Sequence, residues 1–219
     1  MTNCTGKNQK HKKQLVPWDQ SIARALVTPF LGTKLHPNHL TSFRALVGLL
    51  ACAFFALGGS PWIHLGAGLF IFSNFLDHTD GEFARISGKT SKFGHQYDVF
   101  CDTIIHILAF ISIGVGLINS HLGFFALIMG GISGVFVGGL FFIFQLLEAR
   151  TQIKQAGLPR VGRFDFEDVL YVVGPIIWLG GIMPLLYAAA IGAPLFSLWS
   201  LWRYRSFIFR RKSNNINVK

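Results

Sequence analysis

Two pairs of aspartates carry the chemistry this sequence can do. Asp77 and Asp80 are three residues apart, and Asp98 and Asp102 are four apart. On helices, each pair would share one face. With Glu82 they place five of the chain's ten acidic residues within the 26 positions from Asp77 to Asp102. Arg85, Lys89 and Lys92 lie in the same stretch and leave it a net charge of −2. Crowded carboxylates in a partly dehydrated place repel one another and need counter-charge. Neutralisation by those three bases would not explain why the acids keep helix-face spacing while the bases lie between them. An all-oxygen carboxylate set suits a hard divalent cation, Mg²⁺ or Mn²⁺. Four carboxylates are enough for two such ions about 4 Å apart, the arrangement used in phosphoryl transfer. Gly81 follows Asp80 directly and would let a ligand approach the backbone without meeting a Cβ. Arg85, one turn on, offers a planar fork for phosphate. Gly94 precedes the second pair by one turn, where it would allow the helices carrying the two pairs to cross closely.

Those pairs need elements to hold them, and the composition says which kind. Of 219 residues 51% are hydrophobic, and only 14% are charged despite a net charge of +10. Charge confined to patches on an apolar chain describes a membrane protein and argues against a nucleic-acid binder. Apolar runs fall at 40–58, 61–77, 99–119, 122–147, 168–182 and 182–202. Crossing the hydrocarbon core takes about 20 helical residues. "GGIMP" (Gly180 to Pro184) should form a tight turn between the last two runs. The connections "GGS", "NSHLG" and "GGIMP" carry no Lys or Arg, whereas the other loops and both termini carry nearly all of them. The positive-inside rule then predicts six spans with both ends, and the acidic cluster, on the cytoplasmic side. The expected location is a bacterial cell membrane. The expected fold is thus all-α, with six transmembrane helices and a short amphipathic helix before them.

That short helix is read from "WDQSIARALVTPFL", where Trp18, Ile22, Leu26 and Phe30 recur every four residues. It should lie flat on the cytoplasmic leaflet. The expected organisation is a basic tail with this helix over 1–36, a six-helix domain over 37–205 and a basic tail over 206–219. The closing "RYRSFIFRRK" should anchor to anionic lipid. Gly130, Gly134 and Gly138 are spaced by four, which lets backbones approach closely. This stripe would serve either packing within the chain or a homodimer seam. Cys4, Cys52 and Cys101 show neither metal spacing nor a disulfide framework.

The residues Asp77-x2-Asp80-Gly81-x2-Ala84-Arg85-x8-Gly94-x3-Asp98-x3-Asp102 resemble the signature of the CDP-alcohol phosphotransferases, and every fixed position is matched. "PNHLT" (Pro37 to Thr41) also resembles that family's Pro-Asn-x-x-Thr. The resemblance extends over about residues 18 to 205. It implies an enzyme that cleaves the diphosphate of a CDP-linked alcohol, passes the phosphoryl-alcohol to an acceptor hydroxyl and releases CMP. It implies two divalent ions, Mg²⁺ or Mn²⁺, on Asp77, Asp80, Asp98 and Asp102. It further implies that Asp102 takes the acceptor's proton, and that Gly81, Ala84 and Arg85, with Asn38 and Thr41, hold the CDP moiety. The residues themselves point to the metals and to Arg85. They neither name cytidine nor choose between Asp98 and Asp102 as the base.

Within the resemblance, the favoured donor is a CDP-linked lipid such as CDP-diacylglycerol, with a small polar alcohol or alcohol phosphate as acceptor. Arg150, Lys154, Arg160, Arg163, Arg203 and Arg205 would suit a phosphorylated acceptor, though cytoplasmic loops are basic anyway. The rival is a choline- or ethanolamine-type enzyme with a soluble CDP-alcohol donor and a lipid acceptor. A divalent-cation transporter would need ionisable groups shared between helices near mid-membrane, and the first, fourth and sixth runs offer none there. Imidazole suits Mg²⁺ poorly, so His78, His95 and His106 are read as packing or surface residues. Glu82 is read as an outer hydrogen-bond partner or a solvated residue. Asp165, Glu167 and Asp168 would either satisfy a helix N-terminus or shape the acceptor pocket.

Overall fold

In the computed structural model, residues 18–31, 33, 35–151 and 166–208 are described. Apart from short turns and connections they are helical, with no strand among them. Helix α1 spans Trp18–Val27, α2 Pro37–Leu57, α3 Ser60–Ser87, α4 Lys92–Gly116 and α5 Phe124–Thr151. A 3-10 segment, Phe166–Val172, leads into the short α6 (Val173–Trp178), and α7 runs Ile182–Ile208. Among the described residues, four stretches are long and apolar enough to cross a bilayer: Pro37–Leu57, Lys92–Gly116, Phe124–Gln145 and Ile182–Arg203. Their outward faces carry Leu46, Leu49, Ile191, Leu195 and Leu198, all about half exposed or more. Water would not tolerate so continuous an apolar surface, but lipid would.

The expected second and fifth runs look different. The second lies in α3, which does not stop at the end of its apolar run but continues through the acidic residues to Ser87. Gly88 ends it in the left-handed conformation at φ 66°. The fifth is split between the 3-10 turn and α6, and its apolar helical stretch, Val169–Trp178, covers ten residues. At 1.5 Å per residue that is roughly 15 Å, half the hydrocarbon thickness. The break after α6 falls at Leu179 to Gly181, with Gly180 at φ 80°, where "GGIMP" marks a turn.

α2 packs against both α3 and α4, and α5 packs on α4 and α7. Pro37 opens α2 at a position that needs no N–H donor, and the His36 ring accepts the Asn38 N–H at 3.3 Å. Ser91 caps α4 by accepting the Gly94 N–H at 2.9 Å. The glycine stripe of α5 is used inside the chain. A Cβ at Gly130 or Gly134 would lie 2.5 Å from the carbonyl oxygen of Phe110 or Ile107 on α4. That face is therefore covered by α4 and does not offer a dimer seam. Gly94 also has a different neighbour from the one expected. A Cβ there would meet Asn38 Oδ1 at 3.0 Å, so the close approach is to the start of α2 rather than to α3.

On α1, Ala23 and Val27 are buried and the helix packs on α3, while Ile22 and Leu26 face outward. The outward apolar face is the one the four-residue periodicity marks. The Trp18 side chain and Phe30, the rest of that stripe, lie outside the described side chains, as do both tails and the basic residues of 152–165. Asp165 and the side chains of Arg150, Glu167 and Asp168 also fall outside them.

Candidate active site

Two helices, α3 and α4, bring the four aspartates to one place, and an arginine from α2 sits in their midst. Arg44, one helical turn beyond Thr41 on α2, is 2% exposed. Its NH1 donates to Asp102 Oδ1 at 2.6 Å and its Nε to Asp80 Oδ2 at 3.1 Å. Its NH2 donates to Asp98 Oδ1 at 2.6 Å and lies 3.1 Å from Asp77 Oδ1. Asp80 and Asp102 are buried, whereas the side chains of Asp77 and Asp98 keep 23% and 29% of their surface open. The cluster thus has a closed side and an open side.

The sequence reading does not single out Arg44. Its signal is there: it is the one charged residue in the apolar run 40–58, and a charge in such a helix marks a site. A basic side chain does pair with all four aspartates, but it comes from another helix; of the bases between the pairs, Arg85 pairs with Glu82. Four ionised carboxylates against a single guanidinium would leave −3, a charge that divalent cations would offset. Gln145 on α5 is the second residue the sequence does not single out. Its amide donates to Asp102 Oδ2 at 3.2 Å, so both Asp102 oxygens are held.

The donor set fits divalent cations. Asp77, Asp98 and Asp102 each bring a carboxylate oxygen to within 4.8 Å of the others. All are hard oxygen donors, and two of the three side chains are partly open to a ligand. Asp80 joins the group through Arg44 rather than through that triad.

The residues expected to bind CDP lie on α2 and α3, the helices that carry Arg44, Asp77 and Asp80. Arg85 is exposed and forks onto Glu82, with Nε and NH2 at 3.0 and 2.8 Å from Oε2. Glu82 is therefore a partner that orients Arg85. A Cβ at Gly81 would meet nothing within 4 Å, so the space beside it is open. Ala84, half-buried, lies one residue from Arg85 on α3, and Asn38 lies by Gly94. Thr41 is buried, with its hydroxyl 3.3 Å from the Pro37 carbonyl.

Of the three histidines, His95 is exposed, and His78 stacks on Tyr171 with Nδ1 3.1 Å from its hydroxyl. His106 is buried between Phe70 and Phe141. His95 thus lies at the surface, and His78 and His106 lie against aromatic rings. Beyond Phe141 and Leu170 opens a wholly apolar cavity of about 290 Å³ between α4, α5, α6 and α7, lined also by Phe110, Leu140, Val173 and Leu185. Those same two residues border the space beside Asp102, so the apolar cavity adjoins the carboxylates.

Residues 34–199 match the family model for CDP-alcohol phosphatidyltransferases. The chain is also 41% identical over 75 residues to a protein of Archaeoglobus fulgidus described as a bifunctional IPC transferase and DIPP synthase. That match takes in 34% of this chain and 14% of the relative's length.

Proposed function

The chain belongs to the CDP-alcohol phosphatidyltransferase family, and from that premise we propose that it transfers a phosphatidyl-type group from a CDP-linked lipid, such as CDP-diacylglycerol, to the hydroxyl of a small polar alcohol or alcohol phosphate, releasing CMP. The observation that carries this reading is the cluster of four carboxylates from α3 and α4 around Arg44 of α2, with a formal charge of −3. Such a cluster calls for cations, and a diphosphate is the substrate that cations serve.

Asp77, Asp98 and Asp102, with Asp80, would hold two divalent ions, Mg²⁺ or Mn²⁺. When bound, these ions would neutralise the diphosphate and stabilise the departing CMP phosphate. Arg85, oriented by Glu82, grips a phosphate oxygen pair. Gly81 leaves room for the nucleotide to lie along α3, with Ala84 beneath it and Asn38 and Thr41 at the start of α2. Asp102 accepts the proton of the acceptor hydroxyl as its oxygen attacks the β-phosphorus. Gln145 and Arg44 hold that carboxylate in place. The 290 Å³ apolar cavity next to the site favours a substrate with an acyl tail.

The direct test is CMP release by the purified protein with Mg²⁺ and CDP-diacylglycerol, with the acceptor identified by mass spectrometry of products across a panel of alcohols and alcohol phosphates. Turnover only with a soluble CDP-alcohol and diacylglycerol would reverse the donor and acceptor assignment. Arg85→Lys keeps the charge but loses the fork. It should raise the donor KM about tenfold or more, while the metal dependence changes little. An unchanged donor KM would reduce Arg85 to a partner of Glu82.

The site is proposed to face the cytoplasm of a multi-pass membrane protein. In a Cys-free background, Thr90→Cys should react with an impermeant maleimide only after the inner face is opened, and Ser60→Cys and Ser120→Cys from outside. Labelling of Thr90→Cys in intact cells would invert this topology.

A further inference from the structure

The apolar cavity of about 290 Å³ lies on the side of the carboxylates away from the expected nucleotide residues. Its lining comes from α4, α5, the 3-10 segment, α6 and α7, and none of it from α2 or α3. Asn38, Thr41, Gly81, Ala84 and Arg85 are all on α2 and α3. A nucleotide along those two helices leaves the cavity to the part of the donor beyond the reacting phosphorus.

The cavity has a near end and a far end. Phe141 and Leu170 also border the small space beside Asp77 and Asp102, so they mark the near end. From Leu170 the chain runs through α6 to the turn at Leu179 to Gly181, and α7 returns from it. Leu185, just past the turn, therefore stands at the far end. Phe196, packed with Leu140 and Phe144, stands at the near end. From Leu185 to Phe196 the α7 wall is roughly 16 Å long. At about 1.5 Å per carbon–carbon bond, and less along a zigzag, that length takes on the order of a dozen carbons of one extended chain.

Small residues make this wall. Ala188, Ala189, Gly192 and Ala193 line the cavity between Leu185 and Phe196. A Cβ at Gly192 would meet nothing within 4 Å, so a larger side chain there would occupy the cavity rather than the protein. Ala188 and Gly192 are exposed, as are Val169 and Val172 on the 3-10 segment, so the cavity opens at the outer surface of the helices. An apolar cavity of about 150 Å³ stays dry and takes up benzene, and this one is roughly twice that size.

We infer that the cavity seats one hydrocarbon chain of the lipid donor, and that Ala188 and Gly192 of α7 set the length of chain it accepts. A chain in a bilayer is already among hydrocarbon, so seating it adds orientation rather than burial. It holds the glycerol end of the donor beside Asp77 and Asp102. Neither Ala188 nor Gly192 meets the reacting atoms, and both act only on which donor fits. The inference rests on the proposed reaction in taking the donor as the lipid.

The test uses the purified full-length chain and three variants. Gly192→Phe places a ring in the middle of the cavity, and Ala188→Phe places one nearer its far end. Gly139→Phe adds the same bulk on α5, where a Cβ meets nothing within 4 Å and the cavity is not lined. The quantity read is the donor KM at saturating metal and acceptor. It is measured for CDP-diacylglycerols from dibutanoyl to dioctadecanoyl, and each value is divided by that of the wild type.

For Gly139→Phe the ratio should stay near one at every length. For Ala188→Phe it should rise only beyond about ten carbons, the roughly 12 Å from Phe196 to Ala188. For Gly192→Phe the rise should begin at about five carbons, or roughly 6 Å. The rise should reach about tenfold, the low end of what one misfitted methylene costs in an apolar pocket. If a lining variant does not fold, wild-type protein and a CDP-diacylglycerol with a diazirine at one chain end give the answer. Labelling between Leu185 and Gly192 supports the inference, and labelling confined to α2 and α3 overturns it. Ratios that rise equally at all lengths, or stay near one in both lining variants, also overturn it, while CMP release by the wild type keeps the proposed reaction. A wild type that releases no CMP from any of these donors sinks the proposed reaction and the donor's claim to the cavity with it. A length break seen only for diacylglycerol acceptors with a soluble CDP-alcohol gives the cavity to the acceptor and overturns the donor assignment.

Discussion

Asp102→Asn is expected to lower kcat by about a thousandfold or more while the protein stays folded. A positioned general base contributes about 10²–10⁴-fold, and this residue would give up a metal-ligating charge as well. The fold should survive because the amide can keep both present contacts. Its oxygen can still accept from Arg44 NH1, now 2.6 Å from Oδ1. Its nitrogen would face Gln145 Nε2, now 3.2 Å from Oδ2, and Gln145 can turn its own amide to offer oxygen instead. The comparison that decides the base is Asp98→Asn, since the residues alone leave Asp98 and Asp102 both open. Each variant should need more metal. At saturating Mg²⁺, however, Asp98→Asn should recover substantially and Asp102→Asn should not. Recovery of Asp102→Asn under those conditions would move the base to Asp98.

The second large effect concerns counter-charge. Activity should vanish in excess chelator and return with Mg²⁺ or Mn²⁺. Ca²⁺ should restore little, because its longer and looser coordination would misplace the attacking and leaving oxygens. The melting temperature should climb with metal concentration, by the equivalent of about 2.7 kcal/mol at a hundred times Kd, because only the folded chain gathers the ligands. Asp77→Ala should reduce both the activity and the thermal shift.

Arg44 makes this prediction sharper. It is 2% exposed and bonded to four carboxylates. Removing one partner of a buried ion group typically costs about 3–5 kcal/mol. Arg44→Gln should therefore melt well below wild type in chelator and regain much of the difference as Mn²⁺ is added. Full activity in chelator with no metal found by elemental analysis would leave the cluster without its purpose. An Arg44→Gln variant as stable as wild type without metal would show that the four carboxylates do not need the guanidinium.

Much of the site is legible in the sequence because it is local. The i, i+3 and i, i+4 spacing of Asp77/Asp80 and Asp98/Asp102 follows from helix geometry alone, and the short loop between the helices makes the pairs neighbours. The apolar runs, the glycines of the closing turn and the one-sided distribution of Lys and Arg are equally local, and they carry the all-helical, membrane-suited reading. Periodicity also marks the outward stripe of α1 at Ile22 and Leu26.

What the tertiary structure alone decides is where distant chain segments meet. Arg44 reaches Asp80 and Asp102 across 36 and 58 residues, a separation at which no spacing rule operates. Once it is inside the cluster, buried charge has a partner, and α3 and α4 can stay helical through carboxylates that hydropathy would place outside the spans. The same holds for Gly94 against Asn38, the α5 glycines against α4, and Gln145 on Asp102.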